Sequence, residues 1–140
     1  MRMMLSMFVG MFLIQYFIIS YIMTNKLENI SMSIGKVYMC IIMGLFMVFL
    51  EILLSPMANT QLLVSVLGLL LLFIYLYRIQ FGIDEKNYIR EMVEHHSMAL
   101  LTSKNILEKT KNPAVINLAT KIVLTQEQEI ADMRYLLKSI

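Results

Sequence analysis

Three runs of apolar residues, each long enough to cross a bilayer as a helix, fill the first eighty residues and leave this chain little choice of fold. The first, MMLSMFVGMFLIQYFIISYIM, covers about 3–23; the second covers about 37–54 and the third about 61–79. A helix rises ~1.5 Å per residue and the hydrocarbon core is ~30 Å thick, so about twenty apolar residues suffice to span it. Lipid offers backbone amides no partner, so each run is expected to be helical. Between Met3 and Leu76 the charged residues are Lys26, Glu28, Lys36 and Glu51, whereas from Arg78 onward charges recur every few residues. The chain therefore divides into a membrane region, 1–80, and a water-soluble region, 81–140. The first run is too long for a cleaved leader and no small-residue cleavage site follows it, so it is expected to be retained.

Details of the runs agree with this division. Pro56 marks a break between the second and third runs, because proline cannot continue the helical hydrogen-bond ladder. Tyr75, Tyr77 and Arg78 form an aromatic and basic anchor where the third run meets water. Glu51 is a carboxylate within a span and so a functional candidate, unless it sits at headgroup depth and reaches water. Met39, Met43, Met47 and Glu51 recur every four residues, as do Met3, Met7 and Met11. Such stripes could pass a soft cation along a helix, or they could be ordinary flexible apolar packing in a chain with fourteen methionines.

Other classes are excluded early. Twelve basic and ten acidic residues give a net charge of +2, with no clustered basic face, which argues against nucleic acid as a partner. Cys40 is the single cysteine and lies in an apolar run, so neither an intrachain disulfide nor a cysteine-rich zinc site is available.

The soluble region reads as two helices. Asp84 is a plausible N-cap for a helix from Glu85 to about Lys109, and Asn112-Pro113 places a capping side chain before proline at the first helical position. The second helix then runs from Pro113 to near Ser139. Ile89, Met92, Val93, His96, Ala99, Leu100 and Ile106 recur at three- and four-residue spacing, with charges between them. The link Thr110-Lys111-Asn112 is short, so the helices should fold back as an antiparallel hairpin.

The chemistry-bearing stretch is Met92-Val93-Glu94-His95-His96-Ser97-Met98, which holds both histidines of the chain. At ~100° per residue, Met92, His95 and His96 share one broad helix face, with Met98 further round. The second helix offers Gln126, Ile130 and Met133 on one face and Glu129 at its edge, so an antiparallel hairpin can bring Met133 towards the histidines. Imidazole with thioether is a soft ligand set that suits Cu(I) or Ag(I) and fits Mg, Ca or Mn poorly. The alternative is that His95 and His96 pack in a helix interface, hydrogen-bonded to Gln126 or Glu129. Glu-x-x-His pairs of di-iron bundles, a His-Glu-x-x-His zinc helix and a glycine-rich phosphate loop are all absent, so an enzyme is not expected.

The block from Met92 to Ala99, followed by Asn112-Pro113, Leu118-Ala119, and Gln126 with Glu129, Ile130 and Met133, resembles the domain-of-unknown-function 305 family over about Asn87–Leu137. The spans, including Tyr38-Met39 at the opening of the second, resemble members that carry three spans ahead of the domain. The resemblance implies a ferritin-like, all-helical fold and, for some members, copper or silver binding in the periplasm. By position it makes His95, His96, Met92, Met98 and Met133 ligands, with Gln126 and Glu129 as their supporting neighbours. Met98 falls one residue earlier than the literal pattern places a second methionine.

The expected protein is thus all-α: three transmembrane helices, then a two-helix ferritin-like hairpin. A ferritin-like bundle needs four helices, and two bury little core, so a homodimer or higher homo-oligomer is expected to complete it. Its expected role is soft-metal binding, with Cu(I) as the cofactor, for sequestration or tolerance. The alternative is a structural or assembly protein whose tail drives homo-oligomerisation. Orientation is contested. Lys26, Lys36, Arg78, Lys86 and Arg90 lie on the tail's side of the membrane and favour a cytoplasmic tail, whereas the resemblance favours an extracytoplasmic one.

Overall fold

A computed structural model describes residues 2–55 and 59–140; Pro56 lies outside the described residues. The described chain is helical and contains no strand. It divides into two compact units, Met1–Ile19 with Ile34–Ile83, and Ser20–Ser33 with Asp84–Ile140.

The three apolar runs are helices of spanning length: Met3–Met23, Ile34–Leu54 and Thr60–Arg78. The first is built from α1 (Arg2–Leu13), a π-helical stretch Ile14–Ile19 and α2 (Ser20–Met23). The second, α3 (Ile34–Leu54), starts three residues before the Val37 expected from hydropathy. The extra residues include Lys36, which is 9 % exposed, with Nζ 4.8 Å from the centre of the Tyr16 ring. A cation over an aromatic face recovers part of its lost hydration, so this lysine can join a helix that hydropathy alone would end. The third, α4 (Thr60–Arg78), is capped by Asn59, whose Oδ1 accepts from the Leu62 amide at 3.1 Å. At its other end the Gln80 amide donates to Tyr77 O and the Phe81 amide to Leu76 O, with Gln80 at φ 54°. These paired bonds satisfy carbonyls that a helix end leaves open.

In this unit α3 packs on both α1 and α4. Val48, Ile52 and Val66 form its buried cluster, with Met4, Phe8, Phe49 and Leu63 against it. Gly44 sets the closeness of α1 to α3: a Cβ there would lie 2.7 Å from a ring carbon of Phe8. Small residues at helix contacts are how spans gain van der Waals contact where lipid supplies no hydrophobic drive. Of the candidate stripes, Met39, Met43, Met47, Met7 and Met11 are half-buried and Met3 is exposed. Glu51 keeps its Oε2 buried without a hydrogen-bond partner among the described residues.

The other unit holds the hairpin. α5 (Glu85–Leu107) is capped by Asp84, whose Oδ1 accepts from the Asn87 amide at 2.7 Å. It stops two residues before Lys109, because the amides of Lys109 and Thr110 both turn back to Ile106 O. α6 (Pro113–Ser139) starts as expected, with Asn112 Oδ1 accepting from the Ala114 amide at 3.0 Å. Val93, Leu100 and Ile130 form the hairpin core, flanked by Val123 and Met133. Lys104 Nζ and Glu127 Oε1, 2.6 Å apart, tie the helices farther along. Three buried aliphatic side chains at ~1.5–3 kcal/mol each make a small core, and the unit adds to it the connector between the first two spans.

Candidate functional site

His95 and His96 are neighbours in sequence and diverge in space. One residue turns a helix by ~100°. His96 faces α6, with Nδ1 3.0 Å from Glu129 Oε2 and its side chain 25 % exposed. That nitrogen is buried and lacks hydrogen-bond geometry, so the pair has the separation of a hydrogen bond without its direction. The carboxylate is held from its own helix, where Gln126 Nε2 donates to the same Oε2 at 3.1 Å. Met133 packs against the Val93–Leu100–Ile130 core of the same hairpin. Met92, half-buried, precedes His96 by four residues and shares its flank of α5.

His95 lies on the outer flank, its side chain 52 % exposed, with Nε2 3.7 Å from Glu91 Oε1 on the same helix. The Glu91 carboxylate raises the His95 pKa above its ordinary value, against the opposing effect of burial. Met98 is half-buried and sits about 160° round α5 from His96. The residues read from sequence thus fall into one set at the helix interface, His96 with Met92, Met133, Glu129 and Gln126, and an outer pair, His95 and Met98. Among the described residues no three side chains of His, Cys, Asp or Glu group closely enough to hold a metal ion.

A second constellation adjoins the first. The connector closes over the hairpin through a short 3₁₀ turn, Leu27–Asn29. Ser97 Oγ, fully buried, accepts from the Asn25 amide at 3.0 Å and from Asn29 Nδ2 at 2.9 Å. Asn29 Oδ1 accepts from Arg134 Nη2 at 2.6 Å, and the same Nη2 lies 3.0 Å from Glu28 Oε1. That guanidinium holds the Glu28 pKa below the usual carboxylate range. Ser31 donates its amide to Glu94 Oε2 at 3.0 Å and its hydroxyl to Arg90 O at 2.8 Å. Reasoning from sequence missed these groups. One signal was present: Ser97 falls on the Val93–Leu100 stripe, and a polar residue on a buried stripe needs a partner. Nothing in the sequence pointed to the connector as that partner.

Residues 82–140 match the family described as Domain of unknown function (DUF305). Over 139 residues the chain is 32 % identical to "Uncharacterized protein L153" of Acanthamoeba polyphaga mimivirus, an alignment that covers 96 % of this chain and 91 % of that protein. The likeness therefore takes in the apolar helices and the connector as well as the hairpin. No solved structure matches the chain.

Proposed function

Because the chain belongs to the DUF305 family, we propose that it is a membrane-anchored protein that binds soft metal ions, Cu(I) foremost, for sequestration or tolerance, without catalysis. The observation that carries this reading is the buried His96 Nδ1, 3.0 Å from Glu129 and unsatisfied by it. A small rotation of the ring would let Nδ1–H donate to that carboxylate. The second ring nitrogen, Nε2, would then carry the lone pair, which is how carboxylate–histidine pairs prepare a ligand. His96, Met92 and Met133 would hold the ion, with Glu129 and Gln126 orienting the imidazole. His95 and Met98 would supply a further soft pair on the outer flank. Imidazole and thioether donors favour a soft monovalent ion over hard divalent ones.

The test is a Cu(I) titration of the full chain in detergent, competed against a Cu(I) chelator, beside the His95→Ala/His96→Ala double variant. Binding that the folded double variant loses is the expected result. A folded wild-type chain that leaves all Cu(I) on the chelator would overturn the reading.

A second reading, a structural module that drives homo-oligomerisation, draws on the outer surface of α6. Leu118, Leu124, Tyr135 and Leu136 are 60, 65, 77 and 46 % exposed in the single chain. Exposed apolar side chains at this density mark association surfaces. It predicts a dimer or larger particle in mild detergent that Leu118→Glu with Leu136→Glu reduces to monomers; a strictly monomeric wild type would exclude it.

A further inference from the structure

Asn29 lies outside the hairpin sequence, in the connector between the first two spans, yet it is 3 % exposed and touches both hairpin helices. Arginine only donates, so the amide oxygen must face Arg134 and the amide nitrogen must face Ser97. The two contacts, 2.6 Å to Arg134 Nη2 and 2.9 Å to Ser97 Oγ, make one side chain a brace from α6 to α5. The braced residues are the immediate chain neighbours of two proposed ligands, Ser97 of His96 and Arg134 of Met133. Hydrogen bonds tolerate about half an ångström of stretch, so the brace holds the two helices in register to that tolerance at the level of the site. A ligand set needs about the same tolerance to stay productive.

We propose that Asn29 is a positioning residue of the His96–Met133 metal site, acting through Ser97 and Arg134; this rests on the metal-binding reading. The connector thereby belongs to the site it covers. Its amide places the imidazole and the thioether at a fixed separation, and that separation selects between ions of different radius.

The experiment measures Cu(I) and Ag(I) affinities of the full chain in detergent for the wild type and for Asn29→Ala, Asn29→Asp and Lys104→Gln. Asn29→Ala should weaken Cu(I) binding about tenfold, the scale on which groups behind a ligand act. It should weaken Ag(I), the larger ion, less, so the Cu(I)/Ag(I) affinity ratio falls. Asn29→Asp, which still accepts from Arg134 and can accept from the Ser97 hydroxyl, should restore the ratio. Lys104→Gln breaks the other tie between the helices, Lys104–Glu127, which leaves Asn29, Ser97 and Arg134 untouched and starts two turns beyond His96 on α5; it should leave both affinities unchanged. Wild-type affinities and ratio in Asn29→Ala, or an equal loss for both ions that tracks the unfolded fraction, would overturn the proposal while the metal-binding reading stands. Failure of the wild type to bind either ion would remove that reading and the proposal with it, and would show before any substitution is compared.

Discussion

Asn29 Nδ2 donates to Ser97 Oγ at 2.9 Å, across 68 positions of sequence. The bond joins the connector between the first two spans to the helix that carries both histidines. Ser97 also accepts the Asn25 amide, so a single buried hydroxyl oxygen satisfies two donors of the connector.

Ser97→Ala should therefore destabilise the hairpin unit more than loss of an exposed serine would. Two donors would lose their acceptor in a water-poor site, at about 1–3 kcal/mol each if neither relaxes. Urea unfolding in detergent, followed by hairpin helicity, should show a loss of about 2 kcal/mol or more. Ser6→Ala, which removes only an exposed hydroxyl bonded to Met3 O, should show almost none.

Asp84 gives a pH dependence with a defined sign. The Asn87 amide holds its pKa below the ordinary aspartate value. A carboxylate with a lowered folded pKa contributes stability above its unfolded pKa and loses it as pH falls through the folded value. Acid unfolding of the wild type should thus include a component, as pH falls below the ordinary aspartate value, that Asp84→Ala lacks. Equal acid limbs in the two proteins would show that the cap contributes nothing to the hairpin.

What the sequence could disclose follows its periodicities. The runs around Phe8, Val48 and Leu70 were legible as helices of spanning length because any such run has one solution in lipid. Asp84, Asn112 and Pro113 were legible because caps act within three residues. That α3 begins before Lys36 was not legible, because a buried cation over Tyr16 depends on another helix. The divergence of His95 and His96 follows from helical twist, but which of them meets Glu129 depends on how α6 packs. Asn29 was out of reach: a connector that reads as polar filler becomes part of the hairpin unit only through partners at positions 97 and 134.

The contact of Phe8 with Gly44 supports a packing test within the spans. A valine at position 44 would place Cβ 2.7 and 2.8 Å from two ring carbons, and overpacking of this kind costs about 1–3 kcal/mol. Gly44→Val should lower thermal stability in detergent, and Phe8→Ala in the same chain should recover part of the loss. Gly68, where an added Cβ meets nothing within 4 Å, should accept alanine without cost. Independent effects of Gly44→Val and Phe8→Ala in a double-mutant cycle would separate the two residues.

The connector's hydrogen bonds also constrain topology. Asn25 and Asn29 bond Ser97, and Ser31 bonds Glu94, so connector and hairpin are expected on one face of a membrane that the three apolar helices cross. The start of α4, one apolar helix further along the chain, is expected to label from the other face. Single cysteines at Lys26, Asn59 and Lys138, all exposed, test this in sealed vesicles with a membrane-impermeant maleimide. Cys40 is fully buried and would be replaced by alanine as background. Positions 26 and 138 should label together and position 59 only from the opposite side. Opposite labelling of 26 and 138 would rule out the docked connector, and with it the brace that Asn29 provides. Joint labelling also reports which compartment the hairpin occupies, and so decides between the basic-residue count and the family resemblance.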